Sequence, residues 1–485
     1  MNTSMVRYLL CRILQLQTAF LALPALVGLI YREEAGWSYA AVALGCLALG
    51  TLGAAKKPTD TSFYAKEGYM VVALSWILLS ITGAIPMTLC GDIPDYVDSL
   101  FETVSGFTTT GASIVPNVEV LTHSTLFWRS FTHWVGGMGV LVFMLAILPA
   151  VGGQGMYLMQ AESPGPSVGK LVPKLRNTAK LLYSMYIGLT IAELVILLIQ
   201  GMPAFDAVTA TLGTAGTGGF AIKADSMGSY SGGIQATITV FMILFGVNFN
   251  VYFLFWSKKF AEGLKCEELR AYLGVIGVAI LLITLNICDG FSSVFEAFHH
   301  AAFQVASIIT TTGYATVDFN TWPEFSRVIL VLIMFIGACA GSTGGGIKVS
   351  RVVIMLKTIR KELDCIIHPR TVKKIRFEKQ PVEHEVMRSI NVFFISYMFI
   401  FAGSLLIISL DNFDFTSNFT AIAATLNNIG PGLNVVGPAG NFSGYSDLSK
   451  IVLSLDMLLG RLEIFPMLIL MAPSNWKGFF RRKRK

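Results

Sequence analysis

The residues of this chain best suited to chemistry are threonines and glycines rather than carboxylates or histidines. Ser105–Ser113 reads SGFTTTGAS, and a near copy, SIITTTGYAT, runs from Ser307 to Thr316. Backbone carbonyls and threonine hydroxyls are oxygen ligands, and a cage of them can replace the hydration shell of a small cation. Glycine suits such a segment because carbonyls aimed one way need backbone angles that a Cβ resists. A lone Thr-Thr-Thr-Gly is ordinarily a kinked helix end or a packing site. Its recurrence changes that. FDAVTATLGTAGTGG from Phe205 and FTAIAATLNNIGPGL from Phe419 form a second pair. Phe101 and Phe303 stand ten positions before Gly111 and Gly313, while Phe205 and Phe419 stand eleven before Gly216 and Gly430.

The elements that must position these segments follow from composition. Of 485 residues, 54% are hydrophobic and 14% charged, whereas a soluble domain is about a quarter charged. Ten apolar stretches approach the length needed to cross a hydrocarbon core of about 30 Å. They are Tyr8–Ile30, Trp37–Ala55, Tyr69–Leu89, Phe127–Val151, Leu181–Gln200, Ile234–Trp256, Tyr272–Ile287, Val328–Ile354, Val392–Leu410 and Ile451–Met471. The first is too long, and too poor in a small-residue cleavage site, for a removable signal peptide. Each glycine segment lies between two such spans and follows an amphipathic stretch of two or three turns. The implied unit is span, short re-entrant helix, glycine strand, span, present four times.

Irregular backbone at membrane depth is tolerated only where protein buries it or where it lines a watery cavity. The expected fold is therefore an all-α polytopic membrane protein, with four such repeats around a pseudo-fourfold pore and two leading transmembrane helices. Expected boundaries are 1–58 for the leading helices, then 59–168, 169–264, 265–380 and 381–485 for repeats one to four. Each short helix would aim its negative C-terminal end at the axis, which favours a cation. An oxygen cage is needed there, since stripping water from an ion in a low-dielectric medium costs on the order of 20 kcal/mol.

Alternate loops are basic: Lys56, Lys57 and Lys66; Lys170, Lys174, Arg176 and Lys180; Lys258, Lys259, Lys265 and Arg270; Lys357 to Lys379; and the tail Arg481–Lys485. The intervening loops carry Glu33, Glu34, Asp92, Asp95, Asp289, Asp411 and Asp414. The positive-inside rule makes the basic loops and both termini cytoplasmic. The net charge of +6 then reports topology and contact with membrane lipid, and implies no nucleic-acid partner. Seven cysteines, mostly inside spans, give no disulfide framework or metal spacing.

Two anomalies interrupt the spans. GACAGSTGGGIK, from Gly337 to Lys348, cannot hold a continuous helix. It fails the phosphate-loop pattern because Ile347 separates Gly346 from Lys348. It reads either as a packing kink or as a mobile loop across a pore. Arg461, in the middle of LSLDMLLGRLEIFPM, is costly at that depth and needs a partner. It reads either as one half of an ion pair with a carboxylate of another repeat or as a functional residue facing the bundle interior. Arg129 is expected to snorkel or to pair with Glu102. His299 and His300 are adjacent on a short helix, which suits packing rather than a shared metal. His368 and His384 fall in a basic loop, and no nucleophile has a base at useful spacing, so the chain is not expected to be an enzyme.

TTTGAS, GTAGTGGF, TTTGYATVDF, NNIGPGLN, GACAGSTGGGIK and LDMLLGRLE together resemble the TrkH family of potassium uptake proteins, within the TrkH/KtrB/HKT superfamily, over nearly the whole chain. The resemblance implies a potassium filter at Thr109, Thr110 and Gly111; Ala215, Gly216 and Thr217; Thr311, Thr312 and Gly313; and Asn428, Ile429 and Gly430. Gly218 and Gly219 follow Gly216 directly, leaving the second register open. The resemblance also implies an intramembrane gating loop with Gly341, Gly344, Gly345, Gly346 and Lys348, and a pore-facing Arg461 beneath the filter. Further expectations are K+ as transported ion with no organic cofactor, a homodimer, and a cytoplasmic NAD- or ATP-binding regulatory subunit of TrkA type. The location would be a prokaryotic inner membrane. An ion-coupled secondary transporter is the alternative, distinguished by having two related halves where four re-entrant segments recur here.

Overall fold

The computed structural model describes residues 2–58, 64–139, 175–370 and 373–473. In lipid, a helix satisfies every backbone group internally, and helices dominate. α1 (Thr3–Tyr31) and α2 (Ala35–Ala54) form an antiparallel hairpin, turned by Arg32 in the left-handed region. Glu33 in this turn accepts from the backbone N–H of His123 (3.0 Å) and Ser124 (3.1 Å), tying the hairpin to the start of α5.

Four groups follow. The first is α3 (Ala65–Cys90), short α4 (Tyr96–Phe107) and α5 (His123–Met138). The second is α6 (Leu175–Ile199), short α7 (Ala204–Gly216), α8 (Gly232–Phe245), α9 (Phe249–Trp256) and the one-turn α10 (Phe260–Leu264). The third is α11 (Glu267–Ile287), short α12 (Val294–Ile309), α13 (Glu324–Ile336) and α14 (Val349–Ile367). The fourth is α15 (His384–Ile408), short α16 (Phe415–Leu426), α17 (Asp447–Arg461) and α18 (Phe465–Met471). A two-stranded hairpin joins α14 to α15, with β1 (Arg376–Phe377) antiparallel to β2 (Gln380–Pro381) and Arg376 opposite Pro381.

Among the described residues, fewer than the ten expected spans are continuous helices. Among the described residues, six helices are long and apolar enough to cross a membrane, and α8 with α9 would make a seventh but for a 91° bend. That bend falls at Gly246–Asn248, inside a stretch expected to be straight. The stretch from Ile451 also breaks, at Leu462–Ile464, where Glu463 and Ile464 both have positive φ. The break after Ile336 was expected. Of Phe127–Val151, the helix ends at Met138 with Gly139 at φ 79°, and residues 140–151 lie outside the described set. Lys170, Lys174, Lys477 and the Arg481–Lys485 tail do too. Hydropathy windows sum apolar character and do not register where a backbone turns. All seven cysteines are free thiols.

Candidate functional site

Each short helix starts on the side of the acidic loops and runs inward. Asp95, Ser293 and Asp414 cap α4, α12 and α16 with side-chain oxygens, and Pro203 precedes α7. The hydroxyl of Ser417, followed by its backbone N–H, holds Asp414 below the usual carboxylate range. An ionised acid complements the positive end of the helix it caps.

All four helices end in the same way. A non-glycine residue takes the left-handed conformation, and a glycine with positive φ comes two positions later: Thr109 and Gly111, Thr217 and Gly219, Thr311 and Gly313, Asn428 and Gly430. The hydrogen bonds recur in register. Thr109, Thr217, Thr311 and Asn428 donate to the carbonyls of Gly106, Thr214, Ile308 and Thr425 at 2.9–3.1 Å. The next residues, Thr110, Gly218, Thr312 and Ile429, donate to Ser105, Gly213, Ser307 and Ala424 at 2.8–2.9 Å. This is a Schellman-type end. Threonine in the left-handed region is rare, costing roughly 1–2 kcal/mol per residue. Strain repeated at corresponding positions marks a site that the surroundings enforce.

The four segments touch in a closed order. A Cβ on Gly111 would overlap the Gly218 carbonyl oxygen, one on Gly219 that of Thr312, and one on Gly313 that of Ile429. A Cβ on Gly430 would sit 2.8 Å from the Thr110 oxygen, which returns the circuit to the first segment. Asn428 Nδ2 also donates to Thr110 Oγ1 at 2.9 Å. The segments beyond the glycines close likewise: Arg129 donates to the Ala221 carbonyl (3.1 Å), Met227 N–H to Ala315 (2.9 Å), Asn434 N–H to Asn320 Oδ1 (2.9 Å) and Phe442 N–H to Ser113 (2.9 Å). Gly111, Gly219, Gly313 and Gly430 line one outward-opening pocket with residues of these segments.

In backbone geometry it is Gly219, and not Gly216, that corresponds to Gly111, Gly313 and Gly430. Ala215 and Gly216 lie in the last turn of α7, and a Cβ on Gly216 would overlap the His133 carbonyl on α5. Gly216 is glycine because two helices meet there, whereas Gly219 carries the positive φ. The signal was present in the sequence as Thr-x-Gly or Asn-x-Gly after each short helix, and counting from phenylalanine obscured it. Thr217, expected just after the glycine of its segment, instead corresponds to Thr109, Thr311 and Asn428, two positions before it.

Sequence reasoning also missed His133. Fully buried, it uses Nδ1 toward the Gly106 carbonyl (2.8 Å) and accepts at Nε2 from the Phe220 N–H (3.3 Å), bridging the first two segments. A carbonyl on one side and an N–H on the other require a neutral ring with the proton on Nδ1. Arg129 pairs with Glu102 at 2.7 Å, both side chains almost wholly buried. Glu102 also accepts from the Ile114 N–H at 2.8 Å, so the pair holds the first outer segment. His299 bonds Gln235 and His300 bonds Thr316. Among the described residues no cluster of His, Cys, Asp or Glu suits a metal.

Below the ring lies Gly337–Lys348. Gly337, Gly341 and Gly346 have positive φ. Gly345 N–H donates to Thr311 Oγ1 at 2.6 Å, and a Cβ on Gly344 would lie 2.8 Å from the Thr310 carbonyl. A Cβ on Gly345 would crowd Asn427 of the fourth segment, while Cys339 N–H bonds Gly246 at 3.1 Å. Lys348, at the end of the loop, is buried, with its ammonium on the Gly344 carbonyl of the same loop. Arg461 donates to Thr109 Oγ1 (3.2 Å), to the Thr343 carbonyl of the loop (2.8 Å), and to the carbonyls of Gly136 and Gly137. Glu463, two residues away, pairs with buried Arg351 instead.

Fold and site together define a multi-pass helical membrane protein that gathers four strained glycine segments under one outer pocket. A profile of the TrkH family, described as cation transport protein, matches residues 40–478, and the chain belongs to that family. It is 37% identical to the Trk system potassium uptake protein TrkH of Salmonella typhimurium over 94% of this chain and 95% of that protein. Identity to TrkG of Escherichia coli K12, also titled a Trk system potassium uptake protein, is 33% over 99% and 100%. The crystal structure of the potassium transporter TrkH from Vibrio parahaemolyticus superposes with a TM-score of 0.87 at 34% identity, covering 98% of this chain and all of that one. The family is one of transport proteins, not enzymes.

Proposed function

We propose that this chain is the potassium-conducting membrane subunit of a Trk-type uptake system. In this reading the four helix groups are pore repeats, bounded at about residues 59–168, 169–264, 265–380 and 381–485 after the leading hairpin. The filter is the ring of Thr109–Gly111, Thr217–Gly219, Thr311–Gly313 and Asn428–Gly430. The observation that carries it is the fourfold recurrence of a left-handed residue and a positive-φ glycine at the end of a short helix, in closed contact around one pocket. Such backbone turns carbonyl oxygens toward a common centre, where they substitute for the hydration shell of K+. The relatives' titles name potassium uptake.

Gly337–Lys348 is the gate in this reading, lying across the path beneath the ring with Gly341, Gly344, Gly345 and Gly346 free of side chains to impede movement. Arg461, hydrogen-bonded to both the ring and the loop, sets an electrostatic barrier there. The chain acts as a homodimer in a prokaryotic inner membrane, with both termini cytoplasmic and a nucleotide-binding subunit of TrkA type docked on its basic face. An ion-coupled transporter is favoured by one observation, the broken helices in the second, third and fourth groups, because broken helices hold coupling ions in transporters. Purified protein in liposomes separates the readings. A channel passes Rb+ down an imposed K+ gradient with no requirement for Na+ or H+. Uptake that stops when both coupling gradients are collapsed refutes it.

A further inference from the structure

Both flanks of the glycine loop meet one carboxylate. Glu268, in the first turn of α11 and 3% exposed, accepts at Oε1 from the backbone N–H of Ala340 (2.7 Å) and of Ser350 (3.2 Å). Its Oε2 accepts from Asn248 Nδ2 (3.3 Å) at the bend between α8 and α9. Phe249 N–H in turn donates to Gly341 of the loop at 3.0 Å. By accepting hydrogen bonds from both flanks of the loop and from the bend beside it, this single side chain ties the entry and the exit of the loop together.

The turn carrying Glu268 is itself held from the cytoplasmic hairpin. Glu378, at the hairpin tip with φ 49°, accepts at Oε1 from the N–H groups of Glu267 (2.7 Å) and Glu268 (3.1 Å). Lys357, on the helix that leaves the loop, pairs with Glu267 and donates to the Arg376 carbonyl of β1 at 2.8 Å. An unbroken chain of contacts therefore runs from Arg376–Pro381, through Glu378 and the start of α11, to Glu268 and the roots of the loop.

We infer that Glu268 is the positioning residue that holds the glycine loop across the conduction path, and that the hairpin is the handle through which a cytoplasmic event releases it. This rests on the reading of the loop as the gate. Glu268 contacts no residue of the ring, so the effect of replacing it falls on opening and not on ion choice.

The test uses the full-length protein in liposomes. Glu268→Gln is expected to raise resting K+ flux about tenfold, the factor that losing ~1.4 kcal/mol of hydrogen bonding gives a two-state opening equilibrium, with the K+/Na+ ratio unchanged. Cys339 lies in the loop and is fully buried. With the other six of the seven cysteines replaced, its labelling by an impermeant thiol reagent from the cytoplasmic side is expected to accelerate alongside flux. Glu378→Ala, on the cytoplasmic face, is expected to act in the same direction more weakly, and it carries the test if Glu268→Gln does not fold. In protein lacking Gly344–Gly346, neither substitution is expected to add anything, because no loop remains to hold. Wild-type flux and labelling in whichever variants fold, beside an open loop-shortened protein, would overturn the clamp and leave the gate intact. A Glu268→Gln effect that persists without the glycines would overturn it as well. Loop-shortened protein that stays closed overturns the gate reading, and the clamp with it.

Discussion

At the scale of single residues, the same amino acid type serves opposite ends a few positions apart. Gly216 permits contact between α7 and α5, whereas Gly219 provides a backbone angle in the ring. Gly219→Ser is expected to reduce K+ over Na+ selection, as are Gly111→Ser and Gly313→Ser, because the added Cβ meets a neighbouring carbonyl of the ring. Gly216→Ser is expected to lower the yield of folded protein while leaving selectivity intact in whatever folds. Ion ratios from liposome flux check both, and a selectivity loss confined to Gly216→Ser would restore the earlier register. Arg129→Leu leaves Glu102 charged and buried, a loss worth about 3–5 kcal/mol. A thermal melt in detergent is expected to fall well below that of the parent, and an unchanged melt would remove the pair from the account of the outer segment. Arg461→Ala removes a positive charge whose described hydrogen bonds run to carbonyls and one hydroxyl. Higher flux with selectivity retained is the expected result, and unchanged flux in folded protein would make the arginine a structural prop.

Among the elements, the broken helices matter most. α8 and α9, α13 and α14, and α17 and α18 each part at about the level where the ring meets the loop, and the freed backbone groups find partners there. Cys339 N–H bonds the Gly246 carbonyl, and Thr343 Oγ1 bonds that of Phe245 at 3.2 Å. Such reciprocal satisfaction explains how apolar surroundings tolerate the breaks. The loop, then, is supported along its sides by the bend of α8 and at its centre by Thr311 and Arg461. Deleting Gly344–Gly346 removes the part that lies under the ring. Flux is expected to rise at rest and to lose its response to a nucleotide-binding partner, and a deletion variant that still closes and still responds would exclude the loop as the gate.

On the scale of the whole molecule, the first and fourth groups are far apart in sequence and adjacent in space. Lys450 on α17 pairs with Asp98 on α4 at 2.5 Å, and Phe442 meets Ser113, completing the circle. On the proposed reading this closure puts a path within each copy, so a dimer would carry two separate paths. Tandem-linked protein with Gly313→Ser in only one copy is therefore expected to show the sum of two conductances, one altered and one not. A single intermediate conductance with uniformly weakened selectivity would mean a path shared between copies.

The sequence alone determined the solvent and the chemistry. Fourteen per cent charge and ten apolar stretches leave lipid as the only medium in which such a chain is stable, and recurring threonine–glycine segments supply oxygens rather than nucleophiles. The positive backbone angles of Gly111, Gly313 and Gly430 were legible because local backbone demand leaves a local mark, a glycine where an angle excludes side chains. Tertiary structure alone decided the rest. Counting from phenylalanine picked out Gly216, and the fold shows that Gly216 faces His133 while Gly219 faces Thr312. The bend at Gly246–Asn248, the use of Arg351 rather than Arg461 by Glu463, and the reach of Glu268 to Ala340 and Ser350 all join residues distant in sequence. Their partners are set by which surfaces the folded chain brings within hydrogen-bonding distance, and no periodicity or composition along one strand of sequence encodes that.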